Sequence, residues 1–223
     1  MCGRYALHAR PEVIALQFGL SVAPEIPPRF NIAPGTVILS ITGSPVPRAA
    51  WVGWGLIPPW VKDPANAKAI INARAETVAE KPSFRGAFRR HRCVVPASGY
   101  FEWHSAGGRK QPYYVCPTKQ ELFGIAALWD PRPGGPGGEG TCALITTPAH
   151  AATRDIHDRM PAVLRPEDYG RWLDPATAPD ALLELLQPFA GGVRAYPVSS
   201  RVNAVRNDDP QCIAVMDPRN EPR

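Results

Sequence analysis

Apolar positions along the chain come in short runs, cut every few residues by proline or glycine. Val13, Ile14, Ala15, Leu16 and Phe18 have helical spacing, with Pro11 ahead and Gly19 behind, so a short amphipathic helix is expected there. A proline-rich link, Pro24 to Pro28, leads to Arg29–Thr36 (RFNIAPGT), a turn-rich run incompatible with regular helix. Val37 to Thr42 and Pro47 to Gly53 read as strands joined by the Gly43-Ser44-Pro45 turn. The polar cluster Asn72 to Thr77 follows the apolar pair Ile70-Ile71, and its tail predicts a helix running to about Glu80. A second helix opens at Lys81-Pro82, with Phe84 and Phe88 one turn apart on one face and Arg85, Arg89, Arg90 and Arg92 elsewhere. That basic run suits either solvent or a phosphate backbone.

From Cys93 the pattern changes to strands: Cys93 to Ala97, Tyr100 to His104, Pro112 to Cys116 and Leu122 to Trp129. The turn Ser105-Ala106-Gly107-Gly108 predicts a hairpin between the middle two. Residues 131–140 read as a flexible Gly/Pro insertion within a domain rather than a boundary, because strand pattern resumes at Thr141 to Thr147. A short strand, Ala162 to Leu164, is followed by helices over Pro166 to Leu173 and Pro179 to Phe189. The chain closes with strands at Val193 to Val198 and Cys212 to Met216, separated by a polar loop. One domain over residues 1–217 and a polar tail at 218–223 are expected.

Composition narrows the function classes. The chain has 223 residues, 44% hydrophobic and 20% charged, an ordinary globular balance with enough length for a substantial core. The 27 prolines favour short strands and turns over long helices. No apolar stretch approaches the roughly 20 residues of a membrane-spanning helix, so no membrane partner is expected. The net charge of +5 is compatible with a polyanionic partner. Most of the cations are arginine, whose planar fork binds phosphate bidentately and stacks on bases, although a GC-rich genome encodes the same bias. The five cysteines, Cys2, Cys93, Cys116, Cys142 and Cys212, lie far apart without metal-ligand spacing. We therefore expect no metal site, free thiols and a cytoplasmic setting. There is no internal repeat, phosphate-binding loop, dinucleotide fingerprint or paired-carboxylate motif, and no cofactor is expected. Nothing in the pattern argues for assembly, so a monomer is expected.

Four residues stand out chemically. Met1 is normally removed when the next side chain is as small as cysteine, which would leave Cys2 with a free α-amine and a thiol on adjacent carbons. Their reference pKa values, about 8 and about 8.5, keep both partly nucleophilic near neutrality. Such an aminothiol condenses with an aldehyde and closes to a thiazolidine; the plainer alternative is a small apolar residue in a docked terminus. Asn72 lies in the polar cluster. Glu102 stands in Gly99-Tyr100-Phe101-Glu102-Trp103, where inward orientation would raise its pKa and suit it to donate a proton. His157 is crowded by Asp155, Asp158 and Arg159 in a loop. Trp54 and Trp60 lie in a Pro/Gly-rich loop, as stacking platforms for unpaired bases or as plugs of the core.

The stretches MCGRYA, RFNIAPGT, WGLIPPW, INARAET with KPSFR, RCVVPASGYFEW, KQPYYV, IHDRMP and PVSSRVNAV together resemble the SRAP family (SOS-response-associated peptidase, or abasic site processing proteins). The resemblance runs from the first residue nearly to the last. It implies a single-domain α+β fold of curved, largely antiparallel β-sheets with a barrel-like core and flanking short helices. It also implies a basic cleft for single-stranded DNA, covalent cross-linking to abasic sites, and association with the nucleoid when bound. Carried onto this chain, Cys2 would cross-link, Asn72 would position the terminus, Glu102 would act as acid–base catalyst, and His157 would assist sugar opening and reversal. Arg4, Arg74 and Arg159 would engage phosphates, and Trp54 or Trp60 would pack on DNA or wall the cleft. A retained Met1 would acylate the amine and block this route.

Other readings stay open on sequence alone. A class II glutamine amidotransferase also begins Met-Cys-Gly, but it usually continues with Ile and a small residue rather than Arg4-Tyr5. A thiol peptidase using Cys2 and His157 is a second alternative, and a non-enzymatic module binding single-stranded DNA is a third.

Overall fold

The structure, a computed structural model, describes residues 2–63, 66–135 and 138–216. In chain order its elements are β1 (Tyr5–Leu7), α1 (Pro11–Phe18), β2 (Arg29–Ile32), β3 (Val37–Thr42), β4 (Arg48–Trp54), β5 (Asn72–Arg74), α2 (Pro82–Arg90), β6 (Arg92–Ala97) and β7 (Gly99–Ala106). There follow β8 (Arg109–Pro117), β9 (Phe123–Gly135), β10 (Gly138–Pro148), β11 (Arg159–Pro161), β12 (Val163–Leu164), α3 (Tyr169–Leu173), α4 (Pro179–Glu184) and β13 (Val193–Pro197).

Strand β10 pairs with β9 on one edge and with β4 on the other. The ring β4, β3, β6, β9, β10 therefore closes into a five-stranded barrel. Closure removes the unpaired edges that an open sheet would expose. Its interior is filled by residues such as Ile38, Val52, Cys93, Ala127 and Cys142, each 2% exposed or less. Past Cys142 the same edge of β10 takes up β5 in parallel, Leu144 opposite Asn72 and Thr146 opposite Arg74. The polar cluster is thereby set at the end of the barrel.

A second sheet, ordered β13-β8-β7-β1-β2, is antiparallel throughout. Its side chains alternate faces, as strand geometry requires. Tyr5 and Tyr100 join the main core, whereas Ala6, Phe101 and Tyr114 build a smaller cluster on the opposite face. Tyr114 packs so near Gly99 that a Cβ there would stand 2.4 Å from its ring. The hairpin between β7 and β8 turns at Gly107 and Gly108, whose φ of 55° and 77° suit a two-residue turn.

The α+β, largely antiparallel architecture expected from sequence is the one observed, with Ile14 and Phe18 of α1 and the Phe84/Phe88 face of α2 buried, although Leu16 of α1 is exposed. Several local expectations are corrected. The helix expected after Asn72 is a strand followed by a single 3-10 turn, Ala75–Thr77, because pairing with β10 overrides local propensity. Pro166–Asp168 is a 3-10 turn leading into α3, and α4 stops at Glu184 rather than reaching Phe189. In place of a strand over Cys212 to Met216 there is a 3-10 turn, Pro210–Cys212, and one isolated bridge from Val215 to Val198. Residues 131–135 and 138–140 of the expected insertion continue β9 and β10, whereas 136–137 and the tail at 218–223 lie outside the described residues. No described helix is long and apolar enough to cross a membrane.

Candidate active site

Cys2 lies just ahead of β1, fully buried, where the barrel end meets the second sheet. The Phe101 amide of β7 donates to the Arg4 carbonyl at 2.9 Å, and Asn72 Nδ2 of β5 donates to the Cys2 carbonyl at 2.8 Å. The two sheets thus hold the N-terminal segment between them. Asn72 and Arg74 share one face of β5 while Ala73 is buried on the other. Asn72 Oδ1 is buried without a hydrogen-bond partner among the described residues, leaving an acceptor directed into this corner. Burial, reinforced by the neighbouring Glu102 carboxyl, pushes the Cys2 thiol far above its ordinary range.

Glu102 projects from β7 on the same face as Tyr100 and is only 4% exposed. Burial pushes its carboxyl up to about 7, so it is about half protonated at neutral pH. His157 Nε2 stands 4.0 Å from Glu102 Oε2. That separation exceeds a hydrogen bond. The histidine is placed by a folded loop in which Thr153 O accepts the Ile156 and His157 amides and the Asp158 carbonyl accepts the Ala149 amide. His157 Nδ1 lies 2.8 Å from Asp158 Oδ1 and also within 3.0 Å of the Arg159 amide. One ring nitrogen cannot donate to the first and accept from the second at once, so two tautomers are available and either leaves Nε2 facing Glu102. Burial lowers the imidazole below its ordinary pKa, with the Asp158 carboxylate opposing, so the ring is mostly neutral at pH 7.

The structure brings Cys2, Asn72, Glu102 and His157 together from four separate stretches. Among the residues expected to meet phosphate, Arg74 is exposed. Arg4 instead donates through Nη1 to Asn31 Oδ1 at 2.7 Å and to the Val202 carbonyl at 2.8 Å. Arg159 makes a two-pronged pair with Glu76 and donates to the Thr146 carbonyl at 2.6 Å. Trp60 is 56% exposed. Trp54 is corrected from a DNA-facing to a core position: it is 1% exposed, donates to the Ile71 carbonyl at 3.0 Å and meets Tyr5 edge to face. A large indole on a barrel strand fills the interior, and its ring offers no open face to a base.

Sequence reasoning missed the residues that frame the site. Asn31 Nδ2 binds the carbonyls of Val202, Ala204 and Asn207, and Asp208 accepts the amides of Phe30 and Asn31. This knot fixes the 200–208 loop beside β7, where Asn203 Oδ1 takes the Trp103 Nε1 proton at 2.8 Å. The open cleft over Glu102 and His157, about 490 Å³, is completed by Trp103, Ser105, Lys110 and Asn203. The presence of Asn31, Trp103, Lys110 and Asn203 in the quoted motifs was the available signal, Ser105 and Asp208 lie outside those motifs, and the meeting of all six depends on long-range packing. No cluster of metal-ligating side chains occurs among the described residues.

A sequence model of the SOS response associated peptidase (SRAP) family matches residues 1–205. Abasic site processing protein YoqW of Bacillus subtilis (strain 168) is 40% identical, covering 96% of this chain and 99% of its own length. Abasic site processing protein HMCES of Gallus gallus is 34% identical over 74% of this chain and 56% of its own length. A crystal structure of a protein from Bacteroides thetaiotaomicron superposes with a TM-score of 0.84 at 29% identity, covering 96% of this chain and all of that one. The chain therefore belongs to the SRAP family.

Proposed function

We propose that this protein processes abasic sites in single-stranded DNA by covalent capture on Cys2. The observation that carries the reading is the Asn72-held Cys2 carbonyl beside the buried Glu102 and its neighbour His157. The names of the relatives supply the lesion. In the full 223-residue chain Cys2 is an internal residue; loss of Met1 turns its peptide nitrogen into a primary amine. The unpartnered Asn72 Oδ1 then offers that amine an acceptor.

An abasic deoxyribose rests mainly as a closed hemiacetal. Protonated Glu102 delivers its proton to the ring oxygen while neutral His157 accepts the C1′ hydroxyl proton, the C1′–O4′ bond breaks, and the aldehyde is released. The Cys2 amine attacks C1′, and the carbinolamine loses one water to give an imine. Sulfur then adds to the same carbon as its proton passes to nitrogen, which closes the thiazolidine. Burial pushes the thiol pKa upward and so disfavours the thiolate, in keeping with a sequence in which nitrogen attacks first and sulfur second. At the imine, β-elimination competes as a lyase side reaction that ring closure suppresses. Reversal follows the same proton transfers backwards. No metal or organic cofactor enters any step, and a monomer suffices; the peptidase in the family name fits removal of Met1 or self-release.

The test is to incubate protein whose mass confirms loss of Met1 with a single-stranded oligonucleotide carrying one abasic site, then run a denaturing gel. A heat-resistant shifted band is expected from the wild type and none from Cys2→Ala. A simple binding module would bind equally well with Ala at that position and give no band with either.

A further inference from the structure

Away from the catalytic cleft, the outer side of α2 is cationic and borders an apolar cavity. Helical spacing sorts its residues into three rows. Phe84 and Phe88 face the core. Lys81 at the N-cap, Arg85 and Arg89 follow one another at intervals of one turn as an exposed row. Between these rows, Gly86, Ala87 and Arg90 line a cavity of about 280 Å³ together with Leu56, Pro59 and Trp60 of the loop after β4. The helix contains no acidic residue, and Lys81, Arg85, Arg89 and Arg90 form no ion pair among the described residues. The one carboxylate in the lining, Asp130, stands 3.6 Å from Arg132. No lining residue is shared with the cleft over Glu102 and His157. Gly86 sits mid-helix, where glycine is the least favourable residue after proline, and a Cβ there would meet nothing within 4 Å. No tight packing requires glycine at that point; its missing side chain leaves the cavity open beside the arginines.

At about 280 Å³ the cavity falls just short of the roughly 300–1,000 Å³ of whole-ligand sites, so it takes one bulky side chain rather than a complete small molecule. Its largely apolar walls suit a phenylalanine or leucine better than a base, whose polar edge loses its hydrogen bonds when buried there. The uncommitted cations beside it call for carboxylates, and Trp and Arg are the residue types that most often dominate binding energy at protein interfaces. We propose that this face of α2 docks an acidic segment of a partner protein, with one bulky apolar side chain in the cavity against Trp60 and carboxylates along Lys81, Arg85 and Arg89. Bound there, the partner leaves the catalytic cleft free, so it can hold the protein at its place of action without blocking it. The proposal is independent of the capture chemistry.

The experiment measures fluorescence anisotropy of two labelled synthetic peptides, blocked at both ends, against the whole protein. One is a short run of aspartates carrying a single phenylalanine; the other has serine in place of the phenylalanine. The wild type is expected to bind the phenylalanine peptide about 10-fold more tightly than the serine one, and both more weakly as salt rises. Gly86→Leu fills the cavity mouth without altering charge. It should abolish the preference for phenylalanine while leaving the serine peptide's affinity, the fold by circular dichroism and DNA cross-linking unchanged. Arg85→Glu combined with Arg89→Glu should weaken both peptides about 10-fold or more, whereas Arg85→Lys combined with Arg89→Lys should retain most of the binding. Equal affinity for the two peptides in the wild type, or a phenylalanine preference that survives Gly86→Leu, would overturn the docking site. Absence of peptide binding would overturn it too; if the double Glu variant then also weakens binding of an intact single-stranded oligonucleotide, the cationic row of α2 belongs to nucleic acid instead.

Discussion

Glu102 is the residue whose environment most shapes the chemistry. Burial raises its carboxyl from an ordinary 4.5 to about 7, so the folded protein holds this proton more tightly than the unfolded chain. Its contribution to stability is therefore least unfavourable below about pH 4.5 and worsens as pH rises through 7. Glu102→Gln removes that penalty, on the order of 1–3 kcal/mol, and should raise Tm by several degrees at pH 8 but little at pH 4. The same variant should slow cross-linking by about 100-fold or more, as expected for loss of a positioned acid. An oligonucleotide bearing a pre-opened aldehyde should recover most of the rate, since ring opening is then bypassed. Equal slowing on both substrates would remove Glu102 from the opening step. The flanking aromatics hid this orientation in the sequence: Tyr100 and Phe101 are both buried, on opposite faces, so alternation alone did not say which face Glu102 shared. Cys2, by contrast, was legible at once from its place after Met1.

At the scale of elements, the site depends on short pieces that carry little local signal. β1, β2 and β5 are three or four residues long, and their pairing partners lie far away in sequence. Local pattern therefore found the long hairpin strands and the two glycines between them but read Asn72–Arg74 as the approach to a helix. The tie between β2 and the 200–208 loop was equally invisible, because Asp208 has no apolar period to betray it. Replacing it with Ala strands the amides of Phe30 and Asn31 and leaves Arg29 without its carboxylate partner. A loss on the order of 2–4 kcal/mol is expected, seen as a fall in Tm of several degrees, with a smaller fall for Asp208→Asn, which retains one acceptor. An unchanged Tm would mean that the loop is held by Asn31 alone.

At the scale of the whole molecule, local pattern showed short strands and short helices, while the α+β class and the barrel-like core were legible only through the resemblance to the SRAP family. Closure requires β10 to serve β9 on one edge and β4 then β5 on the other, a non-local arrangement that no hydrophobic period encodes. The basic excess of +5 does not by itself locate a DNA path, because Arg4 and Arg159 are engaged inside the protein while Arg74 stands exposed on the face of β5 that carries Asn72. If Arg74 meets a phosphate, Arg74→Ala should reduce the salt dependence of single-strand binding by about 0.7 in the log–log slope, roughly one contact. A slope identical to wild type would place the DNA path elsewhere.

The account turns on one bond pattern, nitrogen and sulfur of Cys2 on a single carbon of the sugar. Intact mass spectrometry of the heat-treated adduct, formed by protein without Met1 and a single-stranded abasic oligonucleotide, tests it most directly. The predicted mass is that of protein plus DNA less one water, with the bond mapped to the N-terminal peptide and unaffected by borohydride. An adduct that survives only after borohydride reduction would mean that the reaction stops at the imine, and an adduct mapped to any other residue would contradict the assignment of Cys2.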